Sequence, residues 1–106
     1  MASQITHYLN LVAHGETLGS ATAKAFPSQK AKWVKFKAPG SNSGMVYVAR
    51  DSGVTKAAGT DTTTAGWELD AGQETDWLPI GPTGNLNAWY LIGDGAGDDV
   101  LWKCMG

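Results

Sequence analysis

Apolar and polar positions alternate along this chain in short runs, and clusters of Gly, Pro, Asn, Asp and Ser interrupt them every 8–15 residues. No segment keeps a 3.6-residue apolar period for three helical turns. The best stretch, residues 19–26, is short and stops at Pro27. A period of two marks half-buried strands, and closely spaced turn clusters mark a sandwich or barrel. The pattern predicts eight strands. Residues 5–14 alternate, with Ile5, Leu9 and Leu11 on one parity; residues 22–26 form a short, weak strand and 30–38 a strong one. Residues 45–50, dense in apolar and β-branched side chains, read as a central strand. Residues 66–71 alternate around Trp67 and Leu69. Residues 75–80 contain Pro79, which cannot donate to a ladder and so predicts an edge or bent strand. Residues 88–92 are continuously apolar, and 100–105 alternate again.

The strand at 30–38 has a fault in its period. Ala31 and Trp33 share one parity, Val34 and Phe36 the other. A β-bulge near Trp33 and Val34 would bring Trp33 and Phe36 to one face and leave Lys35 and Lys37 on the other. Of the five tryptophans, Trp33, Trp67 and Trp89 lie in strong strands and are expected in the core. Trp77 and Trp102 are the candidates for exposed or interfacial positions, where tryptophan is enriched. Together these elements predict an all-β, single-domain β-sandwich, jelly-roll or Greek-key like, of about eight short antiparallel strands. The domain spans residues 1–106, with 1–29 as an N-terminal strand or arm available to a partner. A chain of 106 residues supports one core. The longest loop, 52–65, is the kind of segment in which sandwiches place binding residues.

Charge changes this picture in one respect. The net charge is −2, yet residues 1–50 carry six basic residues against Glu16 alone, leaving +5. Residues 51–106 carry Lys56 and Lys103 against nine acids, leaving −7. Halves that interleave in the fold would mix these charges; halves that do not would attract each other between copies or attract a polyanion. With only 17% charged residues, much of the surface is neutral and open to burial against a partner. The single cysteine, Cys104, forms no intrachain disulfide and is expected as a small buried hydrophobe. The first residues lack the basic and apolar regions of a signal peptide, and no apolar run approaches the ~20 residues of a membrane span. Synthesis in a reducing cytoplasm and no membrane partner are therefore expected.

Candidate chemistry is sparse. His7 and His14 are seven apart on one expected strand and point to opposite faces, so no two-histidine metal site is expected. Asp94, Asp98 and Asp99 lack the ligand spacing of an EF-hand and read as a solvated turn. Glu68, Asp70, Glu74 and Asp76 read as the polar sides of two strands rather than a hydrolytic pair. No nucleophile elbow, phosphate loop or dinucleotide fingerprint is present. Lys30, Lys32, Lys35 and Lys37 with Trp33 and Phe36 combine base and aromatic, but the footprint is small and the chain acidic, so no nucleic-acid partner is expected. No catalytic residue, cofactor or metal is assigned.

The order of elements carries a resemblance. Lys32-Trp33-Val34-Lys35-Phe36-Lys37-Ala38-Pro39 is followed by Asn42-Ser43-Gly44-Met45-Val46-Tyr47-Val48, a Gly/Thr loop, and Leu69-Asp70-Ala71-Gly72-Gln73-Glu74. Asn85-Leu86-Asn87, Trp89-Tyr90-Leu91-Ile92-Gly93, a Gly-Asp turn and Val100-Leu101-Trp102 complete the series. Residues 30–106 in this order resemble the small β-sandwich structural proteins of tailed-bacteriophage heads, including capsid decoration or cement proteins. The chain departs from that pattern at Arg50-Asp51 and in detail at Gln73-Glu74, and residues 1–29 match it least. The resemblance implies a non-enzymatic virion protein, made in the host cytoplasm, that binds the outside of a capsid and stabilises the shell. It implies the major capsid protein as partner and a homotrimer as the working form. Expected exposure places the protein interface at Ile5, His7 and Tyr8 of the N-terminal arm and at Lys35, Lys37, Arg50, Trp77 and Trp102. Three other readings stay open: a phage tail, fibre or neck component; a small carbohydrate-binding module using exposed tryptophans such as Trp77 or Trp102; and a small enzyme using the carboxylates between Glu68 and Asp76.

Overall fold

The computed structural model describes residues 11–20, 22–54, 67–95 and 97–106. Its eight strands are β1 (Leu11–Thr17), β2 (Lys24–Ala25), β3 (Trp33–Lys37), β4 (Val46–Ala49), β5 (Trp67–Leu69), β6 (Leu78–Pro79), β7 (Tyr90–Gly93) and β8 (Val100–Met105). They form two four-stranded antiparallel sheets, β1-β8-β3-β6 and β2-β7-β4-β5, packed as a sandwich. The pairings nest: β1 with β8, β2 with β7, β3 with β6 and β4 with β5. This is the order produced when a chain doubled back on itself in its middle is rolled into two layers, a jelly roll. β4 is central in its sheet and β6, with Pro79, is an edge strand, as the sequence predicts.

Alternation explains why these segments stand where they do. In β8, Val100, Trp102 and Cys104 point inward while Leu101 and Lys103 point out. In β3, Val34 and Phe36 point inward and are fully buried. β7 and β4 add Leu91, Val46 and Val48, and the connections add Phe26, Ile80, Leu86 and Trp89. Phe36 is the hub of this core, with ring centroids 4.9 Å from Phe26 and 5.2 Å from Trp89. Aromatic pairs at such spacings add about 0.5–1.5 kcal/mol beyond their buried area. The Trp89 indole N–H donates to the Ile80 carbonyl at 2.9 Å, so the polar edge of a buried ring is satisfied.

Several sequence expectations are corrected. β3 contains no bulge: its register against β8 runs unbroken from Trp33 opposite Met105 to Lys37 opposite Leu101. Val34 and Phe36 alone supply its inner face, so Trp33 stands outside with Lys35 and Lys37. The register shift lies instead in β1, between Leu11 and Ala13. That strand continues to Thr17 rather than ending at His14, and its expected positions 5–10 fall outside the described residues. The expected strand at 88–92 begins at Tyr90, because Leu86–Ala88 close a 3-10 turn capped by the Asn85 side chain. Most of the expected loop at 52–65 also lies outside the described residues.

The tryptophans are redistributed. Trp33 is 43% exposed and Trp67 65% exposed, against the expectation that both are core. Trp102 is buried, against the expectation that it is exposed. Its parity with Val100 and Cys104 sends it inward. Gly15 on the neighbouring strand makes room for it: a Cβ there would stand 2.8 Å from Trp102 Cζ2. The Trp102 indole N–H donates to Thr17 Oγ1 at 3.1 Å inside the sandwich.

The Gly-Asp turn is not merely solvated. Asp98 is buried, and its carboxylate accepts the backbone N–H of Ser43 at 2.9 Å and of Gly44 at 3.0 Å. Asp94 accepts from the Met45 N–H and Asp99 from the Gly19 N–H, while Asn42 and Asp99 exchange two further bonds. These carboxylates join three loops at one end of the sandwich.

Candidate functional site

The outer face of the β1-β8-β3-β6 sheet presents its side chains in rows set by the register. Leu11, Met105, Trp33 and Pro79 stand opposite one another in one row across all four strands. His14, Lys103 and Lys35 form the next, and Glu16, Leu101 and Lys37 the third. The first row is apolar and its members Leu11 and Trp33 are exposed, as is Leu101 in the third. The second is basic. A shallow groove of about 260 Å³ runs over the two polar rows, lined by His14, Lys35, Lys37, Glu74, Leu101 and Lys103. Lys35 pairs with Glu74 at 3.5 Å and lies 5.7 Å over the Trp77 ring. Lys37 and Lys103 have no carboxylate within ion-pair distance among the described residues.

The other sheet has a different outer surface. Tyr47 and Ile92 are buried there beneath Val54, with Met45, Ala49 and Tyr90 packed around them. Burial raises the Tyr47 hydroxyl pKa, and the Asp94 and Glu68 carboxylates raise it further. The charge asymmetry of the sequence is therefore kept in part: lysines dominate the outside of one sheet and carboxylates flank the outside of the other.

The expected interface residues separate. Lys35 and Lys37 stand together on the basic face, and Trp77 is half-buried beside them under Lys35. Arg50 lies elsewhere, at the open side of the sandwich where β5 and β6 end the two sheets. Trp102 is core and leaves the set. Ile5, His7 and Tyr8 lie outside the described residues. Trp33, Leu101 and Lys103, outside the expected set, stand on the same face as Lys35 and Lys37. The signal was present, since Leu101, Lys103 and Met105 share the parity opposite the apolar Val100, Trp102 and Cys104.

Among the described residues no group of three or more His, Cys, Asp or Glu side chains is placed to hold a metal ion. Glu68, Asp70, Glu74 and Asp76 are all exposed. Cys104 is buried, and that burial pushes its thiol up to about 11. No described helix is long and apolar enough to cross a membrane. No protein-family model, curated protein or solved structure matches this chain.

Proposed function

We propose that this chain is a non-enzymatic structural protein that seats the outer face of its β1-β8-β3-β6 sheet on the outside of a tailed-phage capsid and so stabilises the shell. The observation that carries the reading is the pairing of an apolar row, exposed Leu11 and Trp33 on either side of half-buried Met105, with an adjoining basic row, His14, Lys103 and Lys35, on one sheet. Exposed aromatic and aliphatic side chains provide buried contact area, and neighbouring lysines select an acidic partner surface and fix register. Every position in these rows belongs to a hydrogen-bonded strand, so little conformational entropy is lost on docking. β1 is an edge strand, which suits the addition of a partner strand beside it. The resemblance to head structural proteins supplies the partner class, the major capsid protein, and the trimeric form.

The test is co-sedimentation of the purified chain with phage heads and, separately, with tails, assembled from the structural proteins encoded alongside it. Binding to heads that is lost in Trp33→Ala and in Lys35→Glu/Lys103→Glu supports the proposal. Binding to tails alone replaces it with the tail reading, and binding to neither overturns both. Light scattering on the free protein reads the oligomeric state.

A further inference from the structure

Where β5 and β6 end the two sheets, a second surface meets the outer face of the first sheet at Pro79. β5 ends one sheet and β6 the other, and between them is a cleft of about 290 Å³ lined by Val48, Arg50, Trp67, Leu78, Pro79 and Trp89. That volume is at the small end of ligand pockets, which run from roughly 300 to 1,000 Å³. Trp67 pairs opposite Val48, so its ring is on the core side of the sheet, yet it is 65% exposed on a strand that has a neighbour on one side alone among the described residues. An indole presented at a concave edge is a stacking platform rather than a core residue.

Arg50 is the one charged group of this cleft. Its guanidinium lies 5.6 Å from the centre of the Trp89 ring and makes no ion pair or hydrogen bond with any described residue. Gly81 provides its seat. A Cβ at that position, where φ is +107°, would stand 2.5 Å from Arg50 Nη1. No carboxylate from the described residues lines the cleft. A positioned guanidinium with no acidic partner among the described residues donates a fork of N–H groups that fits two oxygens of one anion, a carboxylate or a phosphate, and the flat apolar wall beside it suits the planar carboxylate. The exposed indole beside it adds an apolar flat surface of the kind that the C–H face of a sugar ring covers, with the ring hydroxyls left towards water at the cleft mouth.

We propose that this cleft binds a saccharide bearing a carboxylate, one ring lying against Trp67 and the carboxylate on the Arg50 guanidinium. The inference does not rest on capsid docking, because the cleft lies at the open edge and not on the lysine face. Calorimetric titration of the full chain with trigalacturonate and with sialyllactose covers the two common sources of such a carboxylate. Binding of either that weakens about tenfold in Arg50→Gln, is partly kept in Arg50→Lys, and is lost in Trp67→Ala supports the site. Lys103→Glu leaves it unchanged. Neither Arg50 nor Trp67 is buried, so unaltered circular dichroism of the variants excludes misfolding as the cause. Failure of both acidic probes to bind overturns the proposal. So does equal binding of neutral maltotriose, equal binding of a glutamate-rich peptide, or indifference to Arg50→Gln.

Discussion

The carboxylate of Asp98 sits beneath the backbone of Gly44 and accepts its N–H at 3.0 Å, together with the Ser43 N–H at 2.9 Å. Two loops 54 and 55 positions apart are thereby joined by a charged acceptor. The backbone N–H of Gly44 is the main cause that holds the Asp98 carboxyl below its ordinary value, against the opposing effect of burial; the Ser43 and Gly95 bonds add to it.

The Asp98 pair predicts a pH dependence. A carboxylate whose pKa is lower folded than unfolded stabilises the protein fully above the unfolded value, about 3.9, and loses that stabilisation as pH falls through the folded value. Asp98→Asn removes the charge and this dependence. Urea unfolding at pH 7 should show a loss of about 1.5–3 kcal/mol, the contribution of hydrogen bonds to a charged group. Unfolding curves of the two proteins should converge as the pH is lowered below about 4.

The close approach of Gly15 to Trp102 predicts that Gly15→Ala is destabilising. The added methyl must displace the indole and with it the bond to Thr17, and overpacking of this kind costs about 1–3 kcal/mol. Thermal unfolding measures the loss, and a changed near-ultraviolet circular dichroism spectrum identifies the ring that moved.

Phe36 touches both aromatic partners and has no exposed surface. Phe36→Ala should lower stability by about 3–5 kcal/mol, a large share of the roughly 5–15 kcal/mol of an ordinary domain, read as a lower urea midpoint. Lys103→Glu, at an exposed position, should change stability by only about 0.5 kcal/mol, while adding Lys35→Glu removes the Glu74 ion pair and the Trp77 contact and should cost about 1–2 kcal/mol in all. A large stability loss in the lysine pair would show that those rows serve folding instead of docking.

Cys104 predicts a kinetic result. With its thiol pushed up to about 11 and buried, it holds almost no reactive thiolate at pH 8. A chromogenic disulfide reagent should leave it untouched in the folded protein and titrate one thiol per chain in urea. Rapid reaction without denaturant would mean that β8 opens.

Particular residues show where sequence reasoning succeeds. The inward Val100, Trp102 and Cys104 and the outward Lys103 follow from period-two alternation, a property of one strand's own backbone. Proline chemistry places Pro79 at an edge, and the β-branched run around Val46 places β4 in the middle. Trp33, Trp67 and Asp98 show where it fails. Its place in a strong strand, with a bulge to turn it inward, predicts Trp33 in the core, but the unbroken β3 fills its inner face with Val34 and Phe36 alone. Nothing local distinguishes Asp98 from Asp94, yet only Asp98 is buried.

By itself the sequence determined the all-β class, the number of strands and the faces within most of them, because turn chemistry and side-chain alternation are local. The tertiary structure alone decided the nested 1-8-3-6 and 2-7-4-5 order, the assembly of the lysine rows, the burial of Asp98 and the opening beside Trp67 and Arg50. Each of these depends on which distant strand covers an edge or supplies a backbone N–H, and that is settled only when the two sheets close on their shared core.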